Sequence, residues 1–100
     1  MTLGDIFKDL DVLNGDLCIV ARRPWTVASD AMLLRLGDEG RVPTHAKDAG
    51  YEYFIEVDIL RDEVFGDWAP SLNASERSAV AIYYAEYDAY PEWLNERLRS

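Results

Sequence analysis

The chain of 100 residues contains a single cysteine and a single histidine. One cysteine cannot close an intramolecular disulfide, and Cys18 lies in the apolar stretch LCIV, which is typical of a buried, unreactive thiol. One histidine and one cysteine also lack the paired ligand spacing of a structural zinc site. We therefore expect neither a metal nor any other cofactor.

Long hydrophobic runs and a basic targeting segment are missing as well. Apolar runs such as the five residues 17–21 are short, whereas a membrane-spanning helix needs about twenty apolar residues. The first residues, MTLGDIFKDL, lack the basic and apolar regions of a secretory signal. We expect a cytoplasmic protein that does not associate with a membrane.

The usual signatures of enzymes are also absent from the sequence. Gly37 and Gly40 flank acidic residues, which would repel phosphate. His45 lies in the polar stretch THAK and is typical of a surface residue. Glu52 and Glu56 would lie about 13 Å apart along a strand, too far for a glycosidase pair. We therefore expect that the chain is not an enzyme.

Acidic residues, in contrast, are abundant. Nineteen acidic and ten basic residues give a net charge of −9. Residues 1–50 carry eight acids and six bases, whereas residues 51–100 carry eleven acids and four bases. The electric field of this negative charge repels nucleic acid and anionic membranes and accelerates encounter with a basic partner. Solubility alone is the other explanation for this acidity.

Capping signals and hydrophobic periodicity predict the helices. Thr2 with Asp5 caps a first helix whose apolar stripe continues to Leu13. A short helix is predicted over residues 43–49. Asp58 is the predicted N-cap of a helix that continues to about Trp68, and Asn73 with Glu76 forms a capping box that starts the next helix. Pro91 opens a last helix over residues 92–99.

Strands are predicted over residues 17–21, 31–36 and 51–57, with a short extended piece at 25–27. In the last strand, YEYFIEV, alternation predicts that Phe54 points outward with Glu52 and Glu56, and that Tyr53 and Ile55 point inward. We predict one α+β domain over residues 1–100. It would consist of a mainly antiparallel three- to four-stranded sheet, about five helices and a helical C-terminal half.

The stretch AVAIYYAEYDAY, residues 79–90, holds four tyrosines and two carboxylates. On a helix its tyrosines share one broad side, and its alanines and Ile82 share the other. In one interpretation the tyrosines fill the core and its rim, and the last helix covers the alanines. In the other, part of the tyrosine side is exposed beside Glu86 and Asp88 and binds a basic protein.

One basic and aromatic cluster, Arg22-Arg23 beside Trp25, occurs in the sequence. Alone it would indicate contact with phosphate or nucleic acid. At a net charge of −9, we expect instead an intramolecular salt bridge or a bend between strands.

The helix over residues 81–90 resembles a YY-x-E-x-DA-aromatic helix near the C-terminus of a family of small bacterial proteins. Members of this family act as immunity proteins beside polymorphic or contact-dependent growth inhibition toxins. The stretches PWT at 24–26, 31–36, VP at 42–43 with Ala46, and GYEYF at 50–54 are also similar. Arg22, Arg23 and the segment from Pro91 onward do not match the family pattern.

The resemblance implies a protein that binds a cognate toxin and occludes its active site. A nuclease toxin would be basic, because its cleft holds phosphate. The alternative is an acidic nucleic-acid mimic that inhibits a restriction or CRISPR enzyme. The candidate partner-binding residues are Glu52, Glu56, Tyr83, Tyr84, Glu86, Tyr87, Asp88 and Tyr90.

Overall fold

The computed structural model of the chain describes residues 1–99, which form a three-stranded antiparallel sheet and five α-helices. The strands, in the spatial order β2-β1-β3, are β1 (Cys18–Arg22), β2 (Ala31–Leu34) and β3 (Tyr51–Glu56). The helices are α1 (Leu3–Lys8), α2 (Thr44–Asp48), α3 (Val57–Ile59), α4 (Ala74–Tyr87) and α5 (Glu92–Arg99). The helical C-terminal half confirms the predicted α+β class.

The first capping box forms as the sequence predicts. Thr2 Oγ1 accepts a hydrogen bond from the Asp5 amide at 3.2 Å, and an Asp5 carboxylate oxygen accepts one from the Thr2 amide at 2.9 Å. The helix nevertheless ends at Lys8, and a 3₁₀ turn follows over Leu10–Val12. The predicted continuous helix to Leu13 is therefore wrong, because the backbone tightens to hydrogen bonds between residues three apart.

The main core lies on one face of the sheet. Ile19 and Ala21 of β1 point to this face, and helices α1, α3 and α4 contribute buried residues against them. Cys18 and Val20 alternate with these residues and point to the opposite face, where both are fully buried. The central strand is therefore covered on both faces.

A β-bulge in β3 overturns the predicted alternation of that strand. Ile19 pairs with Ile55 and Val20 pairs with Tyr53, so Phe54 is the extra residue between them. Phe54 and Ile55 are both buried in the main core, at 2% and 4% exposure. Phe54 therefore points inward, and the prediction of an outward side chain is wrong.

Two other sequence predictions fail in the connecting segments. Residues 25–27 do not form an extended piece, because a turn over residues 26–29 begins within them, in which the Ser29 amide donates to the Thr26 carbonyl at 3.0 Å. The N-cap of the third helix is Glu56 instead of the predicted Asp58, so the helix starts at Val57. After Ile59 the helix continues as a π-helical turn, in which the Phe65 amide donates to the Leu60 carbonyl five residues earlier. This turn ends at Val64, whereas the sequence predicts a helix to about residue 68.

Helix α5 packs against α4 through a second, smaller apolar cluster. Val80 of α4 and Leu94 of α5 are buried there together with Leu72. Farther along, Arg97 Nε donates to Glu76 Oε2 at 3.0 Å. The two helices therefore run antiparallel, since a later residue of α5 meets an earlier residue of α4. Across residues 1–99, no helix has the length and apolar character needed to span a bilayer.

Candidate functional site

Local capping fixes both ends of α4. Asn73 Oδ1 accepts from the Glu76 amide at 2.8 Å, and Glu76 Oε1 accepts from the Asn73 amide at 2.9 Å. This is the capping box that the sequence predicts. At the other end, Asp88 adopts the left-handed conformation with φ 54° and ψ 37°, and its amide donates to the Tyr84 carbonyl at 2.8 Å. Tyr90 therefore lies beyond the helix.

The alanine and isoleucine side of α4 faces the main core. Ala81 is fully buried, and Ile82 and Ala85 pack against the same core. The interpretation in which α5 covers the alanines is therefore wrong. Helix α5 instead contacts Val80, which lies toward the other side of α4.

Two of the four tyrosines are held by contacts within the fold. Tyr84 packs against the main core, and its ring centroid lies 5.2 Å from that of Tyr90. The Tyr90 hydroxyl donates to the Val64 carbonyl at 2.6 Å, and the Tyr90 ring meets Trp68 edge-on at 6.0 Å. Desolvation, followed by the effect of Tyr84, raises the pKa of Tyr90. Both rings therefore anchor the end of α4 to its surroundings.

The other two tyrosines form an exposed pair. Tyr83 and Tyr87 are 37% and 64% exposed, and their ring centroids lie 4.6 Å apart at an interplanar angle of 49°. They are four residues apart and so meet on one helix face. Within residues 1–99, neither hydroxyl makes a hydrogen bond to the protein. This pair is an exposed aromatic surface whose two hydroxyls are available for a partner.

Glu86 lies one turn from Tyr83 and joins a network that reaches β3. Arg23 Nη1 lies 2.6 Å from Glu86 Oε2, and Arg23 Nε lies 3.0 Å from Glu52 Oε2. The Arg23 guanidinium also stacks over the Trp25 ring, 3.9 Å from its centroid. The hydrogen bond to Glu86, together with the charges of both carboxylates, raises the pKa of Arg23. The predicted intramolecular salt bridge is confirmed.

The turn between β1 and β2 holds Trp25 beneath this guanidinium. The Trp25 indole Nε1 donates to the Ala21 carbonyl at 3.3 Å. Ser29 Oγ donates to the Pro24 carbonyl at 2.7 Å and accepts from the Thr26 amide at 2.8 Å. The indole also packs against the Phe54 ring in a T-shaped arrangement, with centroids 4.9 Å apart. The stacking surface is therefore attached to the core.

Glu52 and Glu56 do not form a pair, because the bulge changes the phase of β3 between them. Glu52 pairs with Ala21, whose side chain faces the main core, whereas Glu56 pairs with Cys18 on the opposite face. Glu56 instead neighbours Tyr53, whose pKa is raised by burial and then by the Glu56 charge. Only Glu52 shares a network with Glu86.

Asp88 follows Tyr87 directly and is exposed at the end of α4. We define the acidic aromatic face as Tyr83, Tyr87, Glu86 and Glu52, with Asp88 at its edge. Sequence reasoning selected all of these residues but omitted Arg23 and Trp25, although the basic and aromatic cluster was the available signal.

Cys18 is the single thiol of the chain, and it is fully buried. Burial, followed by the Glu56 charge, raises the pKa of the Cys18 thiol to about 12, so the thiolate is scarce at neutral pH. Among residues 1–99, no cluster of three or more histidines, cysteines and acids could hold a metal ion. An open groove of about 740 Å³ between residues 37–47 and 51–53 has lining side chains of both charges, including Asp38 and Lys47.

Comparison with protein-family models, curated proteins and solved structures finds no significant match for this chain. Its function is therefore inferred from its own residues and their arrangement.

Proposed function

We propose that this chain is a protein inhibitor that binds and neutralises a basic partner through the acidic aromatic face. The observation that carries this proposal is the exposed Tyr83–Tyr87 stack beside the carboxylates of Glu86 and Glu52. Aromatic anchors surrounded by charged groups are typical of binding hot spots. The stack costs little entropy on binding, because its two rings already contact each other in the free protein.

The charge of the chain favours a basic partner. The net charge is −9, and residues 51–100, which supply the whole acidic aromatic face, hold eleven of the nineteen acids. Long-range attraction would accelerate encounter, and the tyrosine pair would slow dissociation after docking. Affinity should therefore fall as salt increases, while a salt-independent part due to the tyrosines remains.

Most concretely, the chain would be an immunity protein that occludes the active site of a cognate bacterial toxin in the cytoplasm. The resemblance of the stretches 24–26, 31–36, 42–43, 50–54 and 81–90 to small immunity proteins supports this role. A nuclease toxin would present lysines and arginines that normally hold phosphate. The chain would then act by steric and electrostatic occlusion, without catalysis, cofactor or contact with nucleic acid.

A nucleic-acid mimic has less support. Such a protein needs carboxylates spaced like phosphates over a long surface. Here Glu52 and Glu86 share one guanidinium, and Glu56 lies on the opposite face of the sheet.

Co-purification of the tagged chain with the product of the adjacent open reading frame tests whether the two proteins bind. Calorimetric titration across a salt series then measures how their affinity depends on charge. The Tyr83→Ser/Tyr87→Ser variant should lose about 2 kcal/mol or more of binding free energy, a roughly thirtyfold loss of affinity. Its fold should survive, because both side chains are exposed.

Tyr53→Ser is the matched control, because Tyr53 is 44% exposed but points to the opposite face of the sheet from Glu52. It should bind the partner as the unmodified chain does. Equal losses in both variants would show that the acidic aromatic face is not the interface. Capture of no basic protein by the unmodified chain would remove the proposed function itself.

A further inference from the structure

Glu52, Glu86 and Trp25 bind the Arg23 guanidinium with the same kinds of contact that would bind an arginine of another protein. Glu52 and Glu86 each offer one carboxylate oxygen at 3.0 Å and 2.6 Å, and the Trp25 ring supplies a stacking face at 3.9 Å. Planar donors on two carboxylates and a ring face suit a guanidinium better than the compact ammonium of lysine. These three side chains therefore make an arginine site that the chain fills with its own residue.

The occupant of this site is partly exposed and is held through its side chain alone. The side chains of Arg23, Glu52 and Glu86 are 45%, 53% and 35% exposed. Exposed ion pairs contribute little each, because water screens them and long side chains lose entropy. Arg23 comes from the turn after β1, whereas its two acceptors belong to β3 and α4. The side chain can therefore leave while the acceptors stay in place.

We propose that Arg23 is an exchangeable occupant, and that an arginine of the basic partner takes its place between Glu52 and Glu86 on the face of Trp25. This inference rests on the proposed function, since it names the chemical group by which the partner is recognised. Glu86 lies on the same helix face as the tyrosine pair, so one arginine and the two rings would be engaged together.

Arg22 provides a matched control. It is the neighbouring residue and carries the same charge, but its contacts are different. Its Nη1 lies 3.8 Å from Asp30 Oδ2, and its guanidinium carbon lies 4.8 Å from the centroid of the Tyr51 ring. Removing Arg22 makes the chain more acidic by one charge and leaves the arginine site filled. Removing Arg23 makes the same charge change and empties the site.

The test is an NMR titration of the purified chain with a tetra-arginine peptide, monitored at the Trp25 indole N–H, with tetra-lysine as a probe of equal charge. Arg23→Ala should bind tetra-arginine about tenfold more tightly than the unmodified chain, because no internal guanidinium competes. Arg22→Ala should stay within about twofold of the unmodified chain. Tetra-lysine should shift the Trp25 signal several-fold less than tetra-arginine.

Glu52→Gln or Glu86→Gln in the Arg23→Ala background should remove the gain. Equal gains in affinity for tetra-arginine in Arg22→Ala and Arg23→Ala, or equal responses to the two peptides, would show that net charge alone explains the binding. Either result would overturn the proposal. Arg23→Lys gives a second measurement if the alanine variant is unstable, since a lysine occupant should compete less well and raise affinity for tetra-arginine. The titration uses no partner protein, so its failure leaves the proposed function to be judged by the co-purification.

Discussion

Replacement of Phe54 by alanine tests the bulge in β3, because the bulge determines which side chain of this strand enters the core. Phe54 is 2% exposed, and its ring lies 4.9 Å from that of Trp25 and 6.0 Å from that of Phe7. Truncating a buried phenylalanine costs roughly 3–5 kcal/mol, from lost burial and from the cavity left behind. For a domain of this size, that loss lowers the melting temperature by roughly 15–30 °C.

The adjacent residue supplies the comparison. Tyr53 is 44% exposed, so Tyr53→Ala should cost only about 1 kcal/mol. Chemical denaturation monitored by circular dichroism gives the free energy of unfolding of both variants. If strict alternation held, Tyr53 would be the inward side chain, and the order of the two losses would be reversed. A Phe54→Ala loss below about 1.5 kcal/mol, or no larger than that of Tyr53→Ala, would refute the bulged arrangement.

Three further predictions concern the ends of α4 and its anchoring. Asp88→Gly should stabilise the chain by about 0.5–1 kcal/mol in thermal denaturation, because glycine adopts the left-handed cap without strain; a loss would show that the aspartate side chain itself is needed there. Asn73→Ala should cost about 1 kcal/mol by loss of the side-chain cap on the Glu76 amide, whereas NMR titration should show the Glu76 pKa still lowered, since the bond from the Asn73 backbone amide does not need the Asn73 side chain. Because the folded-state pKa of Glu76 is lowered, its contribution to stability is complete above the ordinary value of 4.5 and is lost as pH falls through the folded pKa; equal pH profiles of stability for Glu76→Gln and the unmodified chain would contradict this. Tyr90→Phe should cost about 1 kcal/mol by loss of the bond to the Val64 carbonyl, and an unchanged denaturation midpoint would mean that water replaces this bond.

Local capping signals predicted the starts of the first and fourth helices. The pairs Thr2 with Asp5 and Asn73 with Glu76 each act over three residues, so the sequence contains every group that takes part. Residues 92–99 follow Pro91 as a helix for the same reason. Helix ends were predicted less well, because the first helix changes to a 3₁₀ turn and the third to a π turn. Arg61 of the π turn donates to the Leu10 and Leu13 carbonyls at the 3₁₀ turn, and this contact between distant segments is not visible in either local pattern.

The bulge and the Arg23 network illustrate what sequence patterns omit. Alternation in β3 is broken by one residue, and the break depends on how β1 pairs with it, which the composition of YEYFIEV does not reveal. Arg23 meets Glu86, a residue 63 positions later. The sequence could supply the acidic and aromatic residues of the candidate site, but only the fold shows that Glu52 joins Glu86 and that Glu56 does not.

Cys18 has a practical consequence for work on this molecule. Its side chain is fully buried and its thiol has a pKa of about 12, so maleimides and other alkylating reagents should not reach it while the chain is folded. The natural chain can therefore be handled like a cysteine-free protein. A single cysteine introduced at Tyr87 would be the one site labelled, which allows a dye or spin label to be placed on the acidic aromatic face without any prior substitution in the core.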